Sequence, residues 1–565
     1  MDRLPQELVD QISKSLPQDD LKNTLLVSHS FRFAAEKYSG AFSSFAFHDS
    51  NAEKFIATFS GHRFQYLRSL SLTIVLPRVD YKYPIIRDSP EQLKRNDESF
   101  TRQIKCLFET LKSVEEHAAR MNSHGKMELI IIPPHRPVAK KYRELAFYAY
   151  LSWRVHLLKP ELLPELRSVR SFEFGDDSSD CIGCYTKSLD THTSQRVKVD
   201  YRFMVDLVSC FPNLEYWGCR MGGDEWMPKW EQEEANYLQQ DWPGPRRDTR
   251  QDFATALESA KLPDTLRRVR LDFMHQLDRA TDIDHSTSQP NLVYPACYDP
   301  FSRSLHKLSQ HLRRIHLRVV ADESLFWPNG DHVTSWPILE SFVVVFDMVS
   351  PSGKWYFRGP RGEGTEIAAI EVTEASYPPL QPTDFDEEMR WEIEESGDRR
   401  SRGSENDKFR IVPNDAILRP FLEAFANATA RMSALQEAAL WCPIAWQRDD
   451  YNDNDDEAAA AWLPRSLHTE FLAWGLHFLA SGSRDYRRPG GRCLDTDYLY
   501  WRVGKWRPDP ELHELFRQIG GNRIRNDLEE HWTMHEAGER LVGWDDFDTS
   551  TLEGVENLGR IPPPQ

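Results

Sequence analysis

The stretch "LRRVRLDF" (266–273) has the same pattern as "LRRIHLRV" (312–319): a leucine, two variable residues, and then apolar residues at every second position. This alternation is typical of a strand with one buried face. The pattern returns in "LRSLSLTIV" (67–75) and "LESFVVVF" (339–346). Looser copies lie at 166–174, 214–219 and 435–442. The sequence therefore predicts a series of similar strands.

Helical segments come before several of these strands. Apolar side chains share one face in 201–211 and in 252–262, and 414–432 begins with capping residues and contains Pro420, which can kink a helix. Prolines, which suit a strand start because they lack an N–H, precede four of the strands: Pro164, Pro212, Pro263 and Pro337. A repeated helix, turn and strand is the unit of a leucine-rich-type α/β solenoid.

The spacing of this repeat is irregular. Strand patterns that start at 166, 214, 266, 312 and 339 lie 48, 52, 46 and 27 residues apart, whereas regular leucine-rich repeats span ~20–29 residues. The asparagine or cysteine that follows the last leucine of a regular repeat is also absent at the corresponding positions. We therefore expect an irregular leucine-rich-type α/β solenoid with long helical or looped insertions.

The chain is too long for one compact core, because single cores stop growing at roughly 250–300 residues and this chain has 565. We expect an α/β protein in three parts: a three-helix unit at 1–40, the irregular array at 41–445, and an α+β C-terminal lobe or cap at 446–565. Alternating stretches at 474–480 and 497–506, and a helix beginning at Pro510, predict the last part. Three polar stretches are predicted to be surface loops: 80–100, 175–199 and 396–408.

Composition and charge argue against several classes of function. The formal net charge of −18 repels phosphate backbones. The densest basic stretch, "HLRRIHLR" (311–318), alternates with apolar residues as a half-buried strand would. No run approaches the ~18–20 apolar residues that span a bilayer, and the start is an amphipathic segment rather than a signal peptide. We expect a soluble cytoplasmic and/or nuclear protein that binds neither nucleic acid nor membrane, with its eight cysteines reduced.

Catalytic and metal motifs are weak. "CIGC", with Cys181 and Cys184, is followed by a loop-like sequence, whereas a redox pair should begin a helix. A zinc site could add His192, Cys210 or Cys219, but eight residues separate the last two and structural zinc prefers close ligand pairs, so ordinary thiols are favoured. "HWTMHE" (531–536) has two histidines four residues apart without a third ligand, which favours a pair on a helix surface. We therefore expect no enzyme activity, metal or cofactor.

The first 40 residues are predicted to form three short helices. Leu4, Leu8, Ile12 and Leu16 recur at every fourth position and form one apolar stripe, with Pro5 at the first helical position. Pro17 ends this helix, and Asp19 or Asp20 can cap the second helix. Ser28 can cap the third helix. Chains this short rarely hold a core unaided, so the helices need a second surface.

This beginning resembles the F-box motif. The resemblance covers about 40 residues and is carried by the following positions: Leu4-Pro5-x-Glu7-Leu8, Ile12, Leu16-Pro17, Asp20-Leu21, Leu25, Val27-Ser28 and Phe31. Phe31 stands where the family often has tryptophan. The rest of the chain is similar in architecture to the irregular leucine-rich-type receptors of large F-box families, such as those of filamentous fungi.

The resemblance implies the substrate-recognition subunit of an SCF-type E3 ubiquitin ligase. The helices would bind a Skp-family adaptor and, through it, a cullin scaffold, while the body would bind a protein substrate that the sequence does not identify. The implied adaptor-binding or motif-core residues are Leu4, Pro5, Leu8, Ile12, Leu16, Leu21, Leu25, Val27 and Phe31. Two alternatives remain: a non-catalytic interaction scaffold that does not act in ubiquitination, and an apolar stripe that only caps the first solenoid unit.

Overall fold

The computed structural model has an α/β fold with one large, mostly parallel sheet. It describes residues 4–78, 88–137, 153–175, 194–221, 242–274, 277, 281, 283–327, 335–381, 383–384, 388, 407–447, 456–463, 471–483, 493–521, 528–532, 540–543 and 547. The helices of these residues are α1 (Gln6–Ser15), α2 (Gln18–Thr24), α3 (His29–Tyr38), α4 (Ala52–Phe59), α5 (Pro90–Arg120), α6 (Arg202–Val208), α7 (Pro243–Ser259), α8 (Pro300–Ser309), α9 (Asp415–Thr429), α10 (Asp456–Ala460) and α11 (Pro510–Phe516).

Fourteen of the described strands form the large sheet. They are β1 (Ser44–Phe47), β2 (Ser69–Val75), β3 (Met127–Pro137), β4 (Val169–Phe174), β5 (Ser194–Arg196), β6 (Tyr216–Arg220), β7 (Arg268–Asp272), β9 (Arg314–Val319), β10 (Ser341–Phe346), β14 (Glu437–Ala445), β15 (Phe471–Leu479), β16 (Asp497–Arg502), β17 (Leu528–Trp532) and β18 (Val542–Gly543). Two small pairs lie outside it: β8 (Pro290–Asn291) with β12 (Ile370–Glu371), and β11 (Phe357–Arg358) with β13 (Val412–Pro413).

The strands follow one another across the sheet largely in chain order. From β1 to β14 the central path is parallel throughout, and each strand is laid beside the one before it. The stretches predicted from the sequence to be strands are all strands of this path. Helices also lie in the segments predicted to be helical before β6, β7 and β14: Arg202–Val208, Pro243–Ser259 and Asp415–Thr429.

Successive strands begin with the same hydrogen-bonding arrangement. At β7 the amides of Arg267 and Arg268 both donate to the carbonyl oxygen of Glu215, each at 3.2 Å. At β9 the amides of Arg313 and Arg314 both donate to the carbonyl oxygen of Arg267, at 2.8 and 3.1 Å. The starts of β10 and β14 repeat it. A buried leucine stands before each pair of amides: Leu266, Leu312, Leu339 and Leu435. The recurring Leu-x-x pattern of the sequence thus has one structural cause.

The two faces of the sheet differ in chemistry. One face is covered by helices and carries a continuous apolar row across five strands: Phe172, Trp217, Val269, Ile315 and Phe342. Aromatic side chains from the helices complete this core: the rings of Phe253 of α7 and Phe301 of α8 pack at a centroid distance of 4.9 Å, tilted by 47°. Because successive strand residues point to opposite faces, the next row, through Tyr216, Arg268 and Arg314, lies on the other face.

The C-terminal strands continue the same sheet. β15 pairs with β14 in antiparallel fashion along nine residues, and β16 pairs antiparallel with β15. The predicted stretches 474–480 and 497–506 fall on these two strands. The predicted helix begins at Pro510, and Asp509 caps it by accepting the amides of Glu511 and Leu512.

One predicted loop is wrong in most of its length. Residues 90–100 of the expected loop 80–100 are the first turns of α5, a 31-residue helix. Ser89 caps the helix by accepting the Gln92 amide, and Pro90 begins it. The error arose because these turns are polar and only partly buried, whereas the apolar face becomes continuous only from Phe100 onwards. Residues 80–87 lie outside the described residues.

Smaller corrections concern three other segments. The expected loop 175–199 ends in strand β5, which pairs antiparallel with β3, and its residues 176–193 lie outside the described residues. Of the expected loop 396–408, only 407 and 408 are described. His531 belongs to strand β17 and not to a helix, because its segment pairs with β16 in parallel register; His535 is outside the described residues.

Candidate partner-binding site

Helices α1, α2 and α3 form a small helical unit with a minimal core of its own. Val9, Phe31 and Ala34 are buried together, and Tyr38 packs against them. The side chain of Ser28 accepts the Phe31 amide and caps α3, as predicted. The sequence misplaced the two other starts: Pro5 and Pro17 flank α1 and α2 as N-cap residues, and neither Asp19 nor Asp20 is the cap of α2.

The apolar stripe of α1 points away from this core. The side chains of Leu4, Leu8 and Ile12 are 41%, 45% and 41% exposed. The residues that α1 turns inward are Val9 and Ser13, both buried. The larger apolar residues of the helix are therefore on its outer face, and the smaller residues face the interior.

A second exposed apolar group lies in the turn between α2 and α3. Leu25, Leu26 and Val27 are all exposed, and Leu26 is 97% exposed. Phe33 of α3 is 39% exposed. Of the sixteen large apolar side chains exposed among the described residues, seven lie between positions 4 and 33. Exposed apolar groups of this density mark interaction surfaces more often than single scattered residues do.

The nine residues implied by the F-box resemblance differ in exposure. Six are exposed: Leu4, Pro5, Leu8, Ile12, Leu25 and Val27. Leu16 is half-buried, and Leu21 and Phe31 are buried inside the helical unit. The six exposed residues can contact a partner directly, whereas Leu21 and Phe31 hold the helices that present them.

A buried carboxylate joins the helical unit to the body. Glu36 of α3 is 5% exposed and accepts hydrogen bonds from Arg63 at 2.6 and 3.0 Å. His62 lies 2.8 Å from the same carboxylate, and Arg32 donates to it at 3.3 Å. Burial acts to raise the pKa of Glu36, but the hydrogen bonds from Arg63 and His62 outweigh it and lower the pKa from 4.5 to about 2. We call Glu36, Arg63 and His62 the carboxylate clamp.

Further contacts surround the carboxylate clamp. Phe33 meets His62 edge-to-face at a centroid distance of 4.5 Å, and the Tyr66 hydroxyl donates to the Phe33 carbonyl oxygen at 3.4 Å. Beside them lies a cleft of about 450 Å³ between the helical unit and the segment His62–Tyr66. Its lining includes Lys37, which pairs with Asp10 at 3.2 Å. Among the described residues, the helical unit is thus attached to the body by hydrogen bonds, ion pairs and the Phe33–His62 ring contact, while Leu4, Leu8 and Ile12 stay exposed.

Sequence reasoning missed the carboxylate clamp and Leu26. No local pattern connects Glu36 with Arg63, because their side chains meet across 27 residues of sequence. Leu26 could have been found, because it stands between two apolar residues of the motif, Leu25 and Val27.

The structure adds little support to the candidate redox and metal sites. Cys181, Cys184 and His192 lie outside the described residues. Cys210 and Cys219 are buried, and burial raises the pKa of both thiols. Among the described residues, no three His, Cys, Asp or Glu side chains gather as a metal site would require. No helix in the described part of the chain combines the length and the apolar character needed to cross a membrane.

The comparisons with known proteins give no family for this chain. No protein-family model matches the sequence, and no curated protein matches it.

Proposed function

We propose that this protein is the substrate-recognition subunit of an SCF-type E3 ubiquitin ligase. In this proposal the helical unit is an F-box that binds a Skp-family adaptor and, through it, a cullin scaffold. The observation that carries the proposal is the exposed apolar stripe of Leu4, Leu8 and Ile12 on a unit whose sequence resembles the F-box motif.

The size of the stripe suits a partner interface. Fully burying a leucine or isoleucine contributes ~1.5–3 kcal/mol, and Leu8 and Ile12 are a little less than half exposed. Covering each would therefore contribute about 1 kcal/mol. Together with Leu4, Leu25, Leu26 and Val27, the stripe could supply several kcal/mol to binding, enough for a large part of a micromolar affinity of about 8 kcal/mol.

The body is assigned to substrate binding. We interpret its sheet as an irregular leucine-rich-type solenoid, because each strand is laid beside the previous one with a repeated starting geometry. Such arrays recognise partners through exposed residues of strands and loops. The ligase would then act by proximity: the helical unit binds the adaptor, the body holds the substrate, and this chain supplies no active site. It would act in the cytoplasm and/or nucleus.

The direct test is adaptor capture by the full chain. Wild-type protein should co-purify with a Skp-family adaptor and a cullin, and the Leu8→Asp, Ile12→Asp double variant should recover at least tenfold less of both. Ile370→Asp with Leu380→Asp is the matched control, because those side chains are exposed to a similar degree, 46% and 50%. Equal recovery by wild type and the Leu8, Ile12 variant would refute adaptor binding through this stripe.

A second measurement separates the ligase from an interaction scaffold. In cells, deletion of residues 1–40 should raise the abundance of at least one protein that binds the body, because its ubiquitination would stop. Unchanged abundance of every bound partner, together with normal adaptor capture by the full chain, would favour the scaffold.

A further inference from the structure

Two arginines lie directly opposite each other on the face of the sheet opposite its main apolar core. Arg268 of β7 and Arg314 of β9 are register partners on adjacent parallel strands. They alternate with Val269 and Ile315, which belong to the apolar core on the other face. Backbones of neighbouring strands are about 4.8 Å apart, so the two guanidinium groups can reach one anionic group together.

Neither arginine forms an ion pair with a carboxylate of the described residues. Arg314 is exposed, and Arg268 is half-buried with its guanidinium 6.0 Å from the ring of Tyr216. The neighbouring Arg313 is different in this respect. Arg313 pairs with Glu340 at 2.6 Å, at the side of the pair away from β7.

The nearby glutamates are already engaged. Glu215 accepts a hydrogen bond from Arg170 at 3.3 Å. Glu437, two strands away from Arg314, accepts the Ser341 hydroxyl at 2.9 Å and lies 3.2 Å from His477. Glu215 attracts Arg268 and Glu437 attracts Arg314 electrostatically, but each of these carboxylates is shared with another partner.

Such an arrangement is costly without a ligand. Like charges directly opposite each other on adjacent strands destabilise a sheet. Burial and the charge of Arg314 lower the pKa of Arg268, against the charges of Glu215 and Tyr216, which raise it. An anion held between the two side chains would relieve both effects. Two adjacent arginines are also unusual in a chain that as a whole carries a net charge of −18.

We propose that Arg268 and Arg314 bind an acidic segment of the substrate protein through its aspartate or glutamate carboxylates. This inference rests on the proposed function, because it names the substrate class of the same receptor. The guanidinium fork matches a carboxylate geometrically and donates two parallel hydrogen bonds to it. The segment would lie across the starts of β7 and β9, where the side chains of both arginines share one face.

The test measures peptide binding to the full chain, with no ligase component present. The probe is a fluorescent twelve-residue peptide rich in glutamate and aspartate, and its control has glutamine and asparagine at those positions. Wild-type protein should bind the acidic probe at least tenfold more tightly than the amide control, and less tightly as the salt concentration rises. Arg268→Glu with Arg314→Glu should reduce binding at least tenfold.

Two further double variants test whether weaker peptide binding is specific to Arg268 and Arg314 or follows from net charge alone. Arg95→Glu with Arg120→Glu makes the same charge change at exposed positions of α5 and should bind the probe like wild type. Arg268→Gln with Arg314→Gln removes the charges without reversing them and should also bind weakly. If both reversed pairs weaken binding equally, binding follows net charge and the proposal is wrong.

Other outcomes also overturn the proposal. They are equal binding of the acidic and amide peptides, unchanged binding by the Arg268, Arg314 variants, and binding of only a phosphorylated peptide or a single-stranded RNA. Adaptor capture is measured separately and does not require these arginines. Loss of adaptor capture would refute the proposed ligase function, whereas loss of peptide binding would refute only the acidic-segment proposal.

Discussion

Replacing Glu36 by glutamine should loosen the attachment of the helical unit to the body. The carboxylate is buried and accepts charge-assisted hydrogen bonds from Arg63. The lowering of its pKa from 4.5 to about 2 corresponds to about 3 kcal/mol between the two protonation states. The Arg63 and His62 side chains are 26% and 38% exposed, so water screens part of their interaction with Glu36. We therefore expect Glu36→Gln to weaken the attachment of the helical unit by about 1–2 kcal/mol.

Hydrogen exchange can detect this loss locally. Opening of α3 and of the segment His62–Tyr66 should become about five- to thirtyfold more frequent in Glu36→Gln, which follows from 1–2 kcal/mol. Mass spectrometry of peptides from these two segments would report it as a fall in protection. Glu53→Gln on α4 is the control, because Glu53 is exposed. Equal protection of α3 in both variants would refute the reasoning.

The same clamp predicts a pH dependence with a defined sign. The pKa of Glu36 is lower in the folded protein than its ordinary value of 4.5. Its contribution is therefore complete above about pH 5 and is lost as the pH falls from about 4.5 towards 2. The difference in α3 protection between wild type and Glu36→Gln should stay constant from pH 7 to 5 and shrink by pH 3. A difference that instead grows on acidification would contradict the assignment.

Two further predictions concern the body. A Cβ atom at Gly475 would collide with the carbonyl oxygen of Leu440, so Gly475→Ala should cost about 2–3 kcal/mol and lower the Tm by about 2 °C. Gly61→Ala, with no atom closer than 3.9 Å, should leave the Tm unchanged. Burial raises the pKa of the Cys219 thiol, whereas Cys297 is exposed. Brief alkylation of native protein at pH 8 should label Cys297 roughly a hundredfold faster than Cys219, and similar rates by peptide mass spectrometry would disprove it.

The strands of the sheet could be predicted because burial leaves a local signature in each of them. The stretch 266–273 alternates since Val269 and Leu271 enter the helix-covered core while Arg268 and Arg270 point to the other face. Each copy of the pattern is a strand with one face in the core and one face outside it, so each copy alternates in the same way. The order of the strands then follows from chain order, because consecutive units lie side by side.

The start of α5 shows where composition misleads. A polar helix turn exposed to water uses the same residue types as a loop, so the region before Phe100 carried no apolar period. The stronger signal was Ser89 followed by Pro90, a capping residue before a proline at the first helical position. A capping residue followed by a proline favours the backbone geometry of a helix start, whereas polar composition indicates only that residues are exposed to water.

The candidate site was predictable in its apolar pattern but not in its orientation. The four-residue spacing of Leu4, Leu8 and Ile12 identifies one face of a helix and does not say what that face contacts. The carboxylate clamp was invisible because it joins Glu36 and Arg63 through tertiary contact alone. Burial of Leu21 likewise depends on how α2 meets α3, which no short-range pattern specifies.

The orientation of α1 bears on whether the helical unit is a cap or an interface. A cap would turn its largest apolar side chains towards the body and leave its small or polar residues in water. Here Val9 and Ser13 face inward, Leu8 and Ile12 face outward, and Glu36 makes the attachment through charge-assisted hydrogen bonds. Exposing Leu8 and Ile12 stabilises nothing in the isolated chain. The arrangement therefore favours a partner surface over a cap, and it makes the Leu8, Ile12 variant the more informative of the possible substitutions in this unit.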